Sequence, residues 1–206
     1  IHARLPGHRG NLVGTRRRVA SLRRRARRWL AILGLILLWA PLAHTQPAVP
    51  ALTAPVNDLA GVIDATSAAE LDRIIRSLQT ATSDVIVVAT VDSITPFGSI
   101  EEYAVRMFEQ AGIGTRANDN GLLMLVAVTD RKVRIEVGYG LEEFVTDGYA
   151  GDVIRTHLLP AFREGRYGPG LVAGATAVAS RIAERRGVTL SDLPTPAPPR
   201  DDPGFG

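Results

Sequence analysis

Two long and mostly apolar runs constrain the fold of this 206-residue chain more than any other feature. They are residues 84–91 (DVIVVATV), which are rich in β-branched side chains, and residues 122–128 (LLMLVAV). Runs of this length and composition are typical of strands that are buried on both faces of a sheet. Such strands need helices on either side, so the runs predict an α/β domain.

Helical patterns lie before, between and after these runs. Ser67-Ala-Ala-Glu70 and Ser99-Ile-Glu-Glu102 fit the capping box, in which the serine accepts a hydrogen bond from the backbone amide three residues later. The first box predicts a helix that ends near Thr80, and the second predicts a helix with one apolar face. Two further helices are predicted at about residues 147–158 and 171–185.

Residues 132–137 (KVRIEV) alternate between polar and apolar side chains, which predicts a strand with one face in solvent. The two apolar runs are connected through a helix, so their strands are predicted to be parallel with a right-handed crossover. The third strand follows a short turn, which predicts an antiparallel hairpin. The predicted fold class is therefore a three-layer α/β/α sandwich with a short mixed sheet.

The hairpin is expected to bring two polar loops to the same end of the sheet. If its turn has two central residues, Asp119 lies opposite Glu142, and Gly121 lies opposite Gly140. Asp84, at the start of the first buried strand, falls at that end as well. The acidic residues predicted to converge there are Asp119, Glu142, Glu143 and Asp147.

These carboxylates, with an amide oxygen from Asn118 or Asn120, are the ligands that a hard cation such as Ca²⁺ or Mg²⁺ prefers. The alternative is that Asn118 to Gly121 is an ordinary turn, that Asp147 starts a helix, and that the acids are solvated. The spacing does not fit an EF-hand loop. Both interpretations remain open from the spacing alone.

The sequence gives little support for other kinds of catalytic site. Cysteine is absent, which excludes disulfides, thiolate nucleophiles and Cys-based metal sites. His157 is the sole histidine after residue 44 and is interpreted as structural rather than as part of a Ser-His-Asp triad. No Walker loop, G-x-S-x-G or H-E-x-x-H motif occurs, and Gly138-Tyr139-Gly140 lacks the third glycine of a dinucleotide fingerprint.

Charge divides the chain into two parts. Residues 1–46 contain ten of the 24 basic side chains and no acid, whereas the remaining residues carry 14 basic and 21 acidic side chains, a net charge of −7. The arginines lead into residues 29–40 (WLAILGLILLWA), as in a secretory signal peptide, with an uncleaved N-terminal anchor as the alternative. We therefore predict an exported protein, periplasmic or extracellular, that does not bind nucleic acid.

The predicted organisation has four parts. They are a basic leader with a signal peptide or anchor (1–45), a Pro/Ala linker (46–55), one α/β domain (56–187) and a Pro-rich tail (188–206). The central part has the size of a single domain with one core.

Several segments closely resemble successive segments of the TPM domain family over about residues 55–186. They include VNDLAGVI (56–63), DNGLL (119–123), RKVRIEVGYGLE (131–142) and LPAFREGRY (159–167). The resemblance implies an exported, often membrane-tethered α/β/α domain. Plant members are associated with photosystem II repair, some members have been assigned calcium binding, and phosphatase activity has been proposed for the plant protein.

The resemblance also implies an acidic ligand site near Asp58, Asp119, Asn120 and Glu142, to which the spacing adds Asp147. The predicted function is a module that binds Ca²⁺ or Mg²⁺ and assists membrane-protein maintenance or the envelope stress response. One alternative is a metal-assisted phosphomonoesterase in which Asp58 or Asp119 attacks the phosphate or activates a water molecule. The other is a metal-free structural interaction domain. An enzyme is the less favoured prediction, because no motif supplies a phosphate nucleophile.

Overall fold

The computed structural model of the protein describes residues 48–114 and 117–190, so the predicted leader and most of the Pro-rich tail lie outside the described residues. The sheet has the order β1-β2-β3-β4. Its strands are β1 (Val56–Asp58), β2 (Val85–Val91), β3 (Gly121–Ala127) and β4 (Lys132–Val137). The first three strands are parallel, and β4 is antiparallel to β3, which confirms the predicted mixed sheet.

Helices cover both faces of the sheet. They are α1 (Ala65–Thr82), α2 (Ile100–Ala111), α3 (Asp147–Val153), a π-helical turn (Ile154–Leu158), α4 (Leu159–Arg163) and α5 (Tyr167–Arg186). One buried apolar cluster joins Leu71 of α1, Met124 of β3 and Val178 of α5, and a separate cluster joins Leu123 of β3 to Met107 of α2. The two clusters use alternate residues of β3, as expected for a strand buried on both faces. The predicted three-layer α/β/α class is therefore confirmed.

None of the helices within the described residues is both long and apolar enough to span a membrane.

The caps of the first two helices differ in how well the sequence predicted them. α1 begins before the predicted capping box, because Asp64 is its N-cap and accepts a hydrogen bond from the amide of Ser67 at 2.9 Å. The Ser67 hydroxyl donates to Asp64 at 2.7 Å, so Ser67 is inside the helix and is not its cap. The second box is confirmed, since Ser99 caps α2 by accepting from the amide of Glu102 at 3.1 Å.

The hairpin turn between β3 and β4 contains four residues rather than the predicted two. Its last residue, Arg131, has a positive φ of 53° and donates its amide hydrogen to the carbonyl of Val128 at 3.2 Å. Four-residue hairpin loops are most often built around a type I turn. The longer turn shifts the register of β4 by two residues.

The corrected register changes which loop residues face each other. Gly138 donates to the carbonyl of Gly121 at 2.8 Å, and Gly140 donates to the carbonyl of Asp119 at 3.0 Å. Asp119 therefore lies opposite Gly140 and not opposite Glu142. The two loops still meet at the amino end of β3, as predicted.

The segment before β1 packs onto the domain, although its composition predicted a linker. Val49 is buried in the apolar cluster beneath α2, and its carbonyl accepts a hydrogen bond from the side chain of Gln110 at 3.0 Å. The amides of Thr53 and Ala54 donate to the side-chain oxygen of Asn57. These contacts extend the packed chain several residues before the predicted boundary.

Candidate functional site

A pocket of about 380 Å³ beside the end of β4 contains two of the predicted ligands. Glu142 directly follows the 3₁₀ turn Tyr139–Leu141, and Asp147 lies in the first turn of α3. Glu136 of β4 lines the same pocket and forms an ion pair with Arg134, with 3.0 Å between Nε and Oε2. We call this the acidic pocket, because three carboxylates and one guanidinium line it. Glu142 and Asp147 are both exposed.

The side chain of Asp119 is hydrogen-bonded to the turn that follows β4. Its carboxylate accepts a hydrogen bond from the amide of Tyr139 at 3.0 Å, and its backbone has a positive φ of 46°. Glycine is required on the opposite side, since a Cβ on Gly140 would lie 1.9 Å from the carbonyl oxygen of Asn118. The Gly-Tyr-Gly segment therefore allows two loops to approach closely. This packing role accounts for its glycines without a nucleotide-binding role.

Asn120 is buried, and its amide group points into the domain. The side-chain nitrogen donates to the carbonyl of Ser83 at 2.7 Å and to the carboxylate of Asp84 at 3.3 Å. These contacts connect the start of β3 with the start of β2. The structure therefore gives Asn120 a role in holding the two strand ends together.

Asp84 and Arg186 form a bidentate ion pair that the sequence analysis missed. Arg186 lies at the end of α5, and its Nε and Nη2 donate to the two oxygens of Asp84 at 3.0 and 2.9 Å. The Asp84 side chain is fully buried, while that of Arg186 is 34% exposed and its guanidinium carbon lies 4.6 Å from the centre of the Phe144 ring. The hydrogen bond to Asp84 raises the pKa of Arg186 above its ordinary value. The two residues are 102 positions apart, so no local pattern indicated the pair.

Asp58 lies at the opposite end of the sheet from Asp119. It pairs with Thr90 near the carboxyl end of β2, whereas Gly121 pairs with Val85 at the amino end of β2. At roughly 3.3 Å per residue, this separation along the strand is on the order of 15 Å. The expected proximity of Asp58 to Asp119 is therefore wrong, because the short parallel strand β1 pairs with the far half of β2.

The Asp58 carboxylate organises the loop that leads from β1 to α1. It accepts hydrogen bonds from the amides of Val62 at 3.1 Å and Ile63 at 2.9 Å, and from the hydroxyl of Thr90. Burial acts to raise the pKa of Asp58, but the hydrogen bonds from Thr90, Ile63, Val62 and Gly61 outweigh it and bring the pKa below its ordinary value. Asp58 is thus ionised near neutral pH and is held by the hydroxyl of Thr90 and by amides of its own loop.

The five predicted ligands do not form a single coordination site. Asp58 is at the far end, Asp119 and Asn120 are hydrogen-bonded to neighbouring loops, and only Glu142 and Asp147 share a pocket. Within the described part of the chain, no group of three or more His, Asp or Glu side chains is arranged to hold a metal ion. The complete predicted ligand set therefore does not fit one ion.

A groove of about 710 Å³ beside α1 and α5 contains none of the predicted ligands. His157 of the π-helical turn lines it, and burial lowers the pKa of this imidazole. Ser67 also lines the groove, but its hydroxyl donates to Asp64. Ser67 is therefore bonded to Asp64, the N-cap of α1, and not to a histidine that could act as a base.

The solved structures that resemble the chain include two from bacteria. The N-terminal domain of a protein from P. gingivalis is 29% identical with a TM-score of 0.61, and the match covers 68% of this chain and 88% of that one. The BA42 protein from the psychrophilic bacterium Bizionia argentinensis is 24% identical with a TM-score of 0.51, covering 59% and 82%, and shows a similar fold. A comparison with curated proteins gives no match.

The family assignment depends on sequence as well as on fold. A family model described as TPM domain matches residues 56–181, which is more than half of the chain. This span contains the four strands and the acidic pocket. The chain therefore belongs to the TPM domain family.

Proposed function

We propose that this protein is an exported TPM domain that acts by binding, and that Glu142 and Asp147 hold a divalent cation at the acidic pocket. The observation that carries the proposal is that both predicted ligands are exposed and line one pocket together with Glu136. Mg²⁺ is commonly bound by one or two carboxylates while it keeps several waters. Two carboxylates are therefore sufficient for a hydrated ion, even though the five-residue site does not form.

The expected affinity is low. Arg134 lines the same pocket and already neutralises Glu136, which reduces the negative potential at the site. Exposed carboxylates with few fixed neighbours resemble the calcium sites of extracellular modules, whose dissociation constants are about 10⁻⁴ to 10⁻³ M. A Ca²⁺ site of this affinity would be occupied only where the Ca²⁺ concentration reaches about 10⁻⁴ to 10⁻³ M.

Calorimetric titration of the full chain with Ca²⁺, and separately with Mg²⁺, tests this proposal. We expect saturable heat in the millimolar range, and its loss in the double variant Glu142→Gln/Asp147→Asn. The matched control is Glu101→Gln/Glu109→Gln, which removes two charges from exposed positions of α2. The absence of saturable heat in the unmodified protein, or an equal loss in both double variants, would contradict the proposal.

We further propose that the module assists the maintenance of membrane proteins or the response to envelope stress. The support is the leader, whose arginines and apolar run are typical of an export signal, together with the properties of the family. Cell fractionation is expected to find the full chain outside the cytoplasm, and deletion of residues 29–40 is expected to retain it inside. Retention of both forms in the cytoplasm would contradict export.

The alternative of a metal-assisted phosphomonoesterase remains a prediction. Asp58 and Asp119 cannot act on the same phosphate, because they lie at opposite ends of β2 and β3. A phosphate-release assay with Asp58→Asn and Asp119→Asn therefore separates their two possible roles. Turnover that survives both substitutions unchanged would remove both residues from the mechanism.

A further inference from the structure

A second charged pocket, of about 580 Å³, lies at the other end of β4. The charged side chains that line it are Arg131 of the hairpin turn, Lys132 at the start of β4 and Arg163 at the end of α4. Among the described residues, no aspartate or glutamate lines it. We call it the basic pocket, and its volume is within the range of about 300–1,000 Å³ that is usual for small-molecule sites.

The three cations of the basic pocket have no acidic partner among the described residues. The carboxylate of Asp130, next to Arg131, is directed to the amide of Ile94 at 2.7 Å and to the hydroxyl of Ser93 at 3.2 Å. Glu164, next to Arg163, forms its ion pair with Arg166. The acids nearest in sequence are therefore engaged elsewhere, and the pocket keeps a positive charge.

The walls behind these cations are apolar. They include Val128 and Val133 from the hairpin, Leu159 from α4, and the rings of Phe162 and Tyr167, whose centres are 4.9 Å apart. All five are partly exposed, so the pocket presents apolar surface that the domain does not bury completely. Burial of such surface by a ligand would stabilise a complex through the hydrophobic effect.

We propose that the basic pocket binds an amphiphilic carboxylate, in which a carboxylate head group is joined to an apolar chain. The guanidinium groups of Arg131 and Arg163 present the planar donor geometry that matches a carboxylate, and Lys132 adds a third positive charge. The apolar chain would lie against Leu159, Phe162 and Tyr167. This proposal is independent of the cation site, because none of the described residues lines both pockets.

The test uses the full chain with isotope-labelled amides and a series of carboxylates of increasing length: acetate, hexanoate and decanoate. Each concentration is kept below that at which the carboxylate aggregates. Binding is followed by chemical-shift changes at residues 126–133 and 159–167. A local readout is necessary because the ten arginines of residues 1–46 offer a competing site for anions. We expect saturable changes with decanoate, and affinity that increases up to about fourfold for each methylene buried.

The decisive variant is Arg131→Gln/Arg163→Gln, which is expected to weaken decanoate binding about tenfold. Both side chains are exposed and have no ion pair among the described residues, so the fold is expected to remain intact. The control Arg76→Gln/Arg155→Gln removes two exposed arginines elsewhere and should bind decanoate like the unmodified chain. The proposal is overturned if decanoate causes no saturable change at these residues, if acetate binds as tightly as decanoate, or if both double variants lose affinity equally.

Discussion

Asp58 and Asp84 lie at opposite ends of the same sheet, and the protein stabilises their negative charges in different ways. Asp58 is held by a hydroxyl and backbone amides, most of them within five residues along the chain. Asp84 is fully buried and is held by the guanidinium of Arg186, 102 residues away. The first arrangement organises a loop, and the second connects the end of α5 to the start of β2. The comparison indicates that an aspartate can be stabilised either by neutral donors, most of them local, or by a distant cation. Removal of these partners is expected to lower the free energy of unfolding by different amounts.

The largest effect is expected from Arg186→Met, which leaves the buried carboxylate of Asp84 without its cation. Removal of one partner from a buried ion pair costs about 3–5 kcal/mol. We expect a decrease of this size in the free energy of unfolding, measured by urea denaturation. Arg185→Met is the matched control, because Arg185 lies farther from the Phe144 ring, at 5.8 Å, and has no ion pair among the described residues. A similar loss in both variants would remove the special role of the Asp84 pair.

Removal of the other partner should cost less. In Asp84→Asn the guanidinium of Arg186 remains, but its side chain is 34% exposed and can turn towards water. We expect a loss of about 2 kcal/mol in the free energy of unfolding. In the double variant the two losses should not add, since both arise from the same contact. A loss larger than that of Arg186→Met would show that the buried carboxylate has partners more important than the arginine.

For Asp58→Asn we expect a decrease of about 1–2 kcal/mol in the free energy of unfolding near neutral pH, since the charge-assisted bonds to the loop amides are weakened. The pKa of Asp58 is lower in the folded state, so this stabilisation is present above the ordinary pKa, about 4, and is lost as the pH falls through the folded pKa. The difference between the two proteins should therefore shrink as the pH falls below about 5. Thermal unfolding at several pH values measures it. A difference that is independent of pH would contradict the role of the ionised carboxylate.

The smallest effect on stability is expected from Glu142→Gln in the acidic pocket. Glu142 is exposed, so the change in the free energy of unfolding should stay within about 0.5 kcal/mol without added metal. Any increase in melting temperature that Ca²⁺ gives the unmodified chain should be reduced in the variant, because binding to the folded state stabilises it. A loss of more than 1 kcal/mol without metal would indicate that Glu142 has a structural role like those of Asp58 and Asp84.

The parts of the fold that the sequence predicted are those with strong local patterns. β2 and β3 are almost entirely apolar, and Ser99 caps α2 as its box indicated. β1 was not predicted because three residues are too few to show a period. The hairpin register was wrong because the sequence gives no clear indication that Arg131 takes a left-handed conformation and lengthens the turn.

The candidate site was predicted only in part, for a related reason. Glu142 and Asp147 are close in sequence and follow the same hairpin, so their shared pocket could be expected from connectivity. The position of Asp58 depends on which half of β2 pairs with β1, and no pattern in either segment specifies this pairing. Asn120 was interpreted as a ligand because amide oxygens are common ligands, but its burial against Asp84 depends on packing between distant elements.

The two edges of the sheet have a consequence for how this chain behaves before and after it folds. One edge strand, β1, is only three residues long, and the other, β4, carries Lys132, Arg134 and Glu136 along one face. Short edges and charged edge residues both prevent another strand from pairing with the open backbone groups. The most apolar strands, β2 and β3, are in the middle, where their hydrogen-bonding groups are used within the sheet. Replacement of the three charges on β4 by valine would therefore create an aggregation-prone edge while leaving the apolar core unchanged.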